Sequence, residues 1–498
     1  MRYDGHMLPI PQHIKNIDTA LRAAGYDSYL VGGCVRDIII GRQPKDWDLT
    51  TNATPEQIQE VFPDSFYENE YGTVGVVSDE TTDPTLKVVE ITPYRLESTY
   101  TDHRRPDEVR FGTSLLEDLK RRDFTMNAIA YDLYKGQFID PYKGHEDILS
   151  KTIRCVGNAS DRFSEDALRI LRAIRFTAET GFACNTETFD AIVSLKFQLK
   201  HISKERIRDE FLKIIASKEP MLALGLIQRL DILGFIAPVL RETVGVEQNK
   251  QAHKYPVWEH LLRSLQHAAD KGYTNEVRMA ALFHDVSKPH TKREIRNGKG
   301  EIIDCTFYGH EVIGARVTRE TLLDLRFSKD FVEKVEKLVR WHMFLSDTEQ
   351  ITLSAVRRLV RNVGKENIWE LLDLRTCDRI GSGRPIENPY RLRKFRAMVE
   401  EALRDPITVG MLAVDGGDIM RDCAILPGPR IGWTLHALLA DVLEDPSLNT
   451  AEELTKRAKI LLKLGDEELK ARGELGMDRR SDEDDRLIKE IRGKHKVQ

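Results

Sequence analysis

Two carboxylates either side of a tryptophan, Asp46-Trp47-Asp48, are the first residues in this 498-residue sequence whose spacing suggests chemistry. On a strand, residues two apart point to the same face, so both carboxylates would project together. They repel unless a cation sits between them, and hard divalent Mg²⁺ prefers oxygen ligands. Just upstream, Leu30-Val31-Gly32-Gly33-Cys34-Val35-Arg36-Asp37 reads as a strand, a glycine turn and a short helix ended by Gly41. Glycines there let backbone N–H groups approach a triphosphate, and Arg36 adds a charge-assisted clamp. Each feature alone is also an ordinary turn or a polar strand end. In this order they suit a two-metal site, where ions activate a hydroxyl and stabilise a leaving pyrophosphate. Glu90, inside Lys87-Val88-Val89-Glu90-Ile91, is either a third metal-facing carboxylate or an edge-strand acid facing water.

Further along, Arg121-Arg122-Asp123-Phe124-Thr125-Met126-Asn127-Ala128 offers two guanidiniums for triphosphate oxygens. Asp123 and Asn127 there offer acceptors and donors to a ribose. The alternative is a solvent-facing charged turn. Glu165, Asp166, Arg169, Arg172 and Arg175 lie on an expected helix over Glu165 to Glu179. Steps of three rotate such a stripe by about −60°, so it spirals. Asp166 and Arg169, three apart, could present an acceptor beside a donor fork; the stripe could equally be a salt-bridged exposed helix.

Gly32-Gly33-x-Val35-Arg36-Asp37, Asp46-x-Asp48, Arg121 to Ala128 and Glu165-Asp166-x-x-Arg169-x-x-Arg172-x-x-Arg175-Phe176 occur in one order. Together they resemble the class II tRNA nucleotidyltransferase / poly(A) polymerase family of the polymerase β superfamily, over roughly residues 10 to 240. The resemblance implies transfer of CMP and AMP from CTP and ATP to a tRNA 3′ end without a nucleic-acid template. It implies Asp46, Asp48 and Glu90 in catalysis, with Mg²⁺ on Asp46 and Asp48. It places nucleotide contacts on Gly32, Gly33, Arg36, Asp37, Arg121, Arg122, Asp123, Asn127, Asp166, Arg169, Arg172 and Arg175. Asp166 and Arg169 map onto the family's base-templating residues. Cytosine and adenine both show an amine beside an unprotonated ring nitrogen; guanine and uracil reverse the pattern, which a desolvated site penalises. Glu97 to Pro106 resembles the family's flexible loop, shortened in relatives that stop after CC, so addition of A is expected. Poly(A) polymerase and an HD phosphohydrolase with an RNA-docking head are the alternatives.

A second set begins at His284-Asp285, which ends the apolar run Met279 to Phe283, with His260 upstream and His310, His342 and Asp378 downstream. The ordered set resembles the HD metal-dependent phosphohydrolase superfamily over roughly residues 250 to 385. Imidazoles mixed with carboxylates favour a transition metal such as Ni²⁺, Mn²⁺ or Co²⁺ over Mg²⁺. An ion there could activate water against a phosphomonoester or a 2′,3′-cyclic phosphodiester, with Lys288 neutralising developing charge.

The elements that must hold these groups divide the chain. The first 150 residues mix strand-like and helix-like pieces; from about Ser164 onward helical spacing dominates. The expected fold is α+β: a polymerase β-like nucleotidyltransferase head (1–155), then a largely all-α neck (156–245), an HD domain (246–385) and a helical C-terminal region (386–498). Ser203 is a plausible N-cap, and Gly381-Ser382-Gly383 with Pro385 marks a linker. A net charge of −5 excludes a uniformly basic surface, so any RNA site is a local patch. Six basic residues between Lys196 and Lys213 against Glu205, Asp209 and Glu210 supply one candidate for tRNA phosphates. The Leu426 to Gly432 helix entrance could accept RNA phosphate or be a plain turn, and the charged tail Gly476 to Gln498 reads as a solvated helix. Six cysteines without a C-x-x-C pair argue against a disulfide framework or zinc ribbon. Together with no signal peptide and no long apolar run, this fits a cytoplasmic protein without membrane contact. Monomer and homodimer are both open.

Overall fold

The computed structural model describes residues 8–67, 72–78, 81–96, 110–112, 114–249, 253–344, 351–404 and 408–476. The chain forms two compact units, one up to Ile236 and one from Ala237 onward. The architecture is α+β, with its sheet in the head and helices after it.

The first unit is built on a seven-stranded mixed sheet. Its strands are β1 (Ser28–Val31), β2 (Asp48–Thr51), β3 (Ser65–Tyr67), β4 (Val74–Val77) and β5 (Val88–Pro93), and, past the small pair β6 (Arg95–Leu96) and β7 (Arg110–Phe111), β8 (Ala130–Asp132) and β9 (Gln137–Ile139). The order is β3-β4-β5-β2-β1-β8-β9. Strand β1 feeds Gly32, at φ +80°, into the Gly33–Ile40 helix, which Gly41 ends in the left-handed region. Only glycine takes that φ without strain, so the turn is fixed by residue type. Strand β2 runs parallel to β5 with Asp48 directly beside Glu90. Because β5 is hydrogen-bonded to β4 on its other side, Glu90 sits on an interior strand, which removes the edge-strand reading.

Behind the sheet the expected continuous helix from Glu165 is interrupted. One helix ends at Glu165 and the next spans Leu168–Thr180, while Asp166 is extended at φ −148° and ψ 99°. Its carboxylate accepts the Leu168 N–H at 3.1 Å, the local competition with helical bonding that short acids provide. The Lys204–Ala216 helix starts after Ser203, but no Ser203 side-chain cap is formed. A short parallel pair joins β10 (Thr152–Ile153), at the end of the head, to β11 (Ala183–Cys184), a strand within the expected largely helical neck.

The second unit is helical apart from the hairpin of β12 (Arg293–Arg296) and β13 (Ile302–Thr306). The expected linker is the irregular stretch 382–389 between the Ile368–Gly381 and Tyr390–Ala402 helices; Gly381 itself closes the first of them, where a Cβ would collide with Ser264 Oγ and lie 2.8 Å from the His260 carbonyl. Toward the C-terminus, Ile419, Leu438, Leu454 and Leu461 form a separate core. Asp415 and Asp418 make a capping box on the Gly416–Cys423 helix. Arg430, at the Leu426 to Gly432 entrance, is bound to the Leu462 and Leu464 carbonyls, so that entrance is a local tie. Most of the charged tail, 477–498, lies outside the described residues, as does Glu97 to Pro106. Among the described residues no helix is long and apolar enough to cross a membrane.

Candidate functional site

In the first unit the glycine turn and the carboxylates meet. A Cβ on Gly32 would lie 3.1 Å from Arg122 Nη1 and 3.6 Å from Asp48 Oδ2, and one on Gly33 would lie 3.9 Å from Asp46 Oδ1. Asp46 precedes β2 rather than lying on it, yet Trp47 between the two acids is 3% exposed, so the chain still alternates inward and outward there. Asp46 and Asp48 thus meet the turn, where Arg122 stands over Gly32, with Glu90 in register beside Asp48 on the neighbouring strand. That donor set suits a hard divalent cation.

The arginines are more constrained than the sequence indicated. Arg121 and Arg122 both bond Asp118, a fully buried carboxylate, at 2.5 and 3.2 Å, so the charged turn does not simply face solvent. Arg36 donates to Asn127 Oδ1 at 2.9 Å and pairs with Asp37 at 2.8 Å. Asn127 donates to Asp123 at 3.2 Å, and Arg172 reaches the other Asp123 oxygen at 2.6 Å. Burial alone would raise the Asp123 carboxyl, but Arg172 and Asn127 outweigh it and take it down to about 2. It is therefore an ionised acceptor at neutral pH. Arg175 is occupied by Glu210 at 2.5 Å and Glu179 at 2.8 Å, and stacks 4.3 Å from the Phe176 ring centroid, a structural anchor between helices.

Asp166 and Arg169 are joined through the backbone, the Arg169 N–H donating to the Asp166 carbonyl at 3.1 Å, while their side chains take different partners. Arg206, from the Lys204–Ala216 helix, grips Asp166 with both Nη atoms at 3.1 and 2.7 Å. Arg169 donates to Glu165 at 2.8 Å and to the carbonyls of Arg162 and Arg121 at 3.0 and 3.1 Å. Of the basic patch expected to meet tRNA phosphates, Arg206 is thus engaged internally, and Lys196 donates to the Leu230 carbonyl at 2.8 Å. Lys200 and Lys213 remain exposed. Neither the Asp118 pairing nor the Arg206 contact to Asp166 is among the sequence expectations, where Arg206 belongs to the basic patch for tRNA phosphates. Asp118, three and four residues before two arginines, had a readable helical pairing; Arg206, forty residues from Asp166, had none.

In the second unit all six expected HD residues converge. His260 Nε2 lies 2.9 Å from His284 Nε2 and 3.1 Å from Asp285. His310 and His342 approach the other Asp285 oxygen at 3.1 and 3.7 Å, and Asp378 lies 3.5 Å from His260. His284, His310 and His342 each place Nδ1 at 2.7 to 3.0 Å from the carbonyl three residues earlier. In the neutral ring that contact holds the proton on Nδ1 and leaves the Nε2 lone pair turned inward, the form metal ligation requires. Two ligand groups result, His260/His284/Asp285 and Asp285/His310/His342, sharing Asp285 where a single ion was expected. Burial favours a neutral His284, but Asp285 and Asp378 outweigh it and push the ring up to about 9, whereas burial and the neighbouring rings push His342 down to about 4. The residues fit a transition metal by donor type. Lys288 is buried, 2.6 Å from both Asp285 and Gln248, and backs a ligand carboxylate. Gln248 and His253, the latter 3.1 Å from Ser382 Oγ, extend the site beyond what spacing revealed.

Residues 28–154 match the family described as poly A polymerase head domain, 181–243 the probable RNA and SrmB-binding site of polymerase A, and 257–380 the HD domain. The chain is 31% identical over 448 residues to the CCA-adding enzyme of Leuconostoc mesenteroides, covering 89% of this chain and 94% of that one. It is 43% identical over 231 residues to the CCA-adding enzyme of Geobacillus stearothermophilus, a match spanning only 55% of that protein. Among solved structures, the Bacillus stearothermophilus CCA-adding enzyme in complex with CTP superposes with a TM-score of 0.66 at 28% identity, over 92% of this chain and all of that one.

Proposed function

The chain belongs to the class II CCA-adding enzymes, and from that premise we propose that it adds CMP and AMP from CTP and ATP to the 3′ end of tRNA, releasing pyrophosphate. The carrying observation is the register of Asp48 beside Glu90, with Asp46 and the Gly32-Gly33 turn at the same place. Mg²⁺ bound by Asp46 and Asp48, with Glu90 alongside, would supply Lewis-acid activation of the RNA hydroxyl and charge neutralisation at the triphosphate. The turn offers backbone N–H groups to phosphate oxygens, and Arg122, held by Asp118, stands over that turn. Arg36, Asn127, Asp123 and Arg172 form a charged network that would fix the sugar and phosphates. Asp166 and Arg169 would read the base edge, and Arg121 and Arg175 act by holding neighbours in place. Exposed Lys200 and Lys213 remain candidates for tRNA phosphate contacts.

The HD cluster supports a second activity, hydrolysis of a phosphate ester with water activated at a Ni²⁺, Mn²⁺ or Co²⁺ centre. Incubation of a tRNA lacking its terminus with each single nucleoside triphosphate tests the main reading. Two C additions with CTP, then one A when ATP is included, are expected, and Asp46→Ala should lower turnover below about a tenth, since metal sites of this kind contribute orders of magnitude. A long A tail from ATP alone would identify a poly(A) polymerase instead.

A further inference from the structure

A fully buried carboxylate that is neither in the D-x-D pair nor Glu90 stands between the phosphate end and the base end of the head site. Asp118, in the Leu115–Lys120 helix, precedes Arg121 and Arg122 by three and four residues, a spacing at which side chains share a helix face. It accepts Arg121 Nε at 2.8 Å and Nη2 at 2.5 Å, Arg122 Nη2 at 3.2 Å and the Arg95 backbone N–H at 3.4 Å. Burial would raise the Asp118 carboxyl, but Arg122 and Arg121 outweigh it and hold it below the usual carboxylate range. Burying such a cluster costs solvation that the ion pairs scarcely repay, so stability alone is a poor reason for it. Arg122 has donors left over. Its Nε is buried without a hydrogen-bond partner among the described residues, and its Nη1 is the atom that a Cβ on Gly32 would meet at 3.1 Å. On the other side, the last carbonyls of the helix are taken by arginines next to Asp166. Arg162 Nη1 donates to the Lys120 oxygen at 3.3 Å, and Arg169 Nη2 to the Arg121 oxygen at 3.1 Å. One short stretch of chain thus reaches the Gly32 turn through a side chain and Arg169 through a carbonyl, with Asp118 fixing both of its guanidiniums.

We infer that Asp118 is a positioning residue that couples base reading to the grip on the triphosphate. The inference rests on the nucleotide site proposed above, with Arg122 on phosphate oxygens and Asp166 and Arg169 on the base edge. A cytosine ring nitrogen accepts from Arg169 and leaves it seated on the Arg121 carbonyl. A uracil ring N–H meets that donor with another donor, displaces Arg169, and loosens the stretch from which Asp118 aims Arg122. A mismatched base therefore weakens the hold on the phosphates as well as the hold on itself.

Calorimetric titration of the full chain with CMP, CTP, UMP and UTP, in Mg²⁺ and without tRNA so that nothing turns over, reads the two halves of the ligand separately. Wild-type protein is expected to bind CTP at least about tenfold tighter than CMP, the worth of a charge-assisted hydrogen bond. The margin of UTP over UMP should be about fivefold smaller, the low end of ordinary coupling between sites. Asp118→Asn keeps the shape of the side chain without its charge. It is expected to bring the CTP margin down to that of UTP while CMP binds as in the wild type. A carboxylate that only supports the fold would weaken CMP and CTP alike, and that result overturns the inference. So does a CTP margin that survives the substitution, or cytosine and uracil margins already equal in the wild type. If Asp118→Asn unfolds, Arg122→Lys carries the comparison, because an ammonium keeps the charge but has no fork with which to hold Asp118 and reach the turn through separate nitrogens. Loss of the margin with CMP binding retained is expected there, and a wild-type margin in Arg122→Lys overturns the inference. The absence of any margin in the wild type overturns the triphosphate reading of the turn itself, a failure distinct from a margin that ignores Asp118.

Discussion

Asp166 and Arg169 are each oriented by a different partner, and in the proposed reading that separation serves base selection. A carboxylate has about four lone-pair positions, so Asp166 can hold Arg206 and still accept an amine proton. Arg169 uses three N–H donors on Glu165 and two backbone carbonyls, leaving two of a guanidinium's five for a ring nitrogen. On that proposed reading Arg206 is a positioning residue for specificity. Arg206→Ala is expected to lower kcat/KM for CTP and ATP by about tenfold, the worth of one charge-assisted hydrogen bond, and to narrow discrimination against UTP and GTP. Arg206→Lys, a point charge without the planar fork, should restore only part of it. Single-turnover assays with all four nucleotides decide the matter: unchanged discrimination in Arg206→Ala would mean that Asp166 is aimed by something else.

The elements show which parts of this arrangement can be read in advance. The Gly32-Gly33 turn, the D-x-D alternation around Trp47 and the six HD ligands were legible because each depends on residue type at short spacing or on an ordered set. The helix break at Asp166 was not, since helical spacing continues across it and only the carboxylate's capping bond to Leu168 marks it. The β12–β13 hairpin escaped because Arg293–Arg296 is exposed throughout and offers no inward-outward alternation; Asn297-Gly298 was the one available turn signal. The linker reading holds for 382–389, but Gly381 at its start ends a helix, because glycine marks close helix crossings as well as loops. The Val257–Asp270 and Ile368–Gly381 helices carry His260 and Asp378, and they meet at this glycine. Gly381→Ala should push them apart, costing about 1 to 3 kcal/mol through overpacking. A lower thermal midpoint and weaker Mn²⁺ binding by calorimetry are expected together. A midpoint shift with unaltered Mn²⁺ affinity would show that the crossing does not set the ligand geometry.

At the scale of the whole molecule, the two sets of named site residues fall in different compact units. All the head residues lie before Ile236 and all the HD residues after Ala237, each among its own buried core. Two ligand sets that share no residue should fail independently, because removing ligands destroys chemistry locally while units couple through typically about 1 to 3 kcal/mol. Changing His284 and Asp285 to Ala should therefore eliminate Mn²⁺- or Ni²⁺-stimulated phosphohydrolysis, together with the rise in thermal midpoint that either ion produces in the wild type. Addition of CCA should stay within a few-fold. Conversely, Asp46→Ala should abolish nucleotide addition and leave both hydrolysis and the metal-induced midpoint shift in place. Both assays on both variants complete the square. A loss of nucleotide addition beyond about tenfold in the HD variant, with the head still binding CTP, would show that the metal cluster acts on the polymerase half rather than beside it.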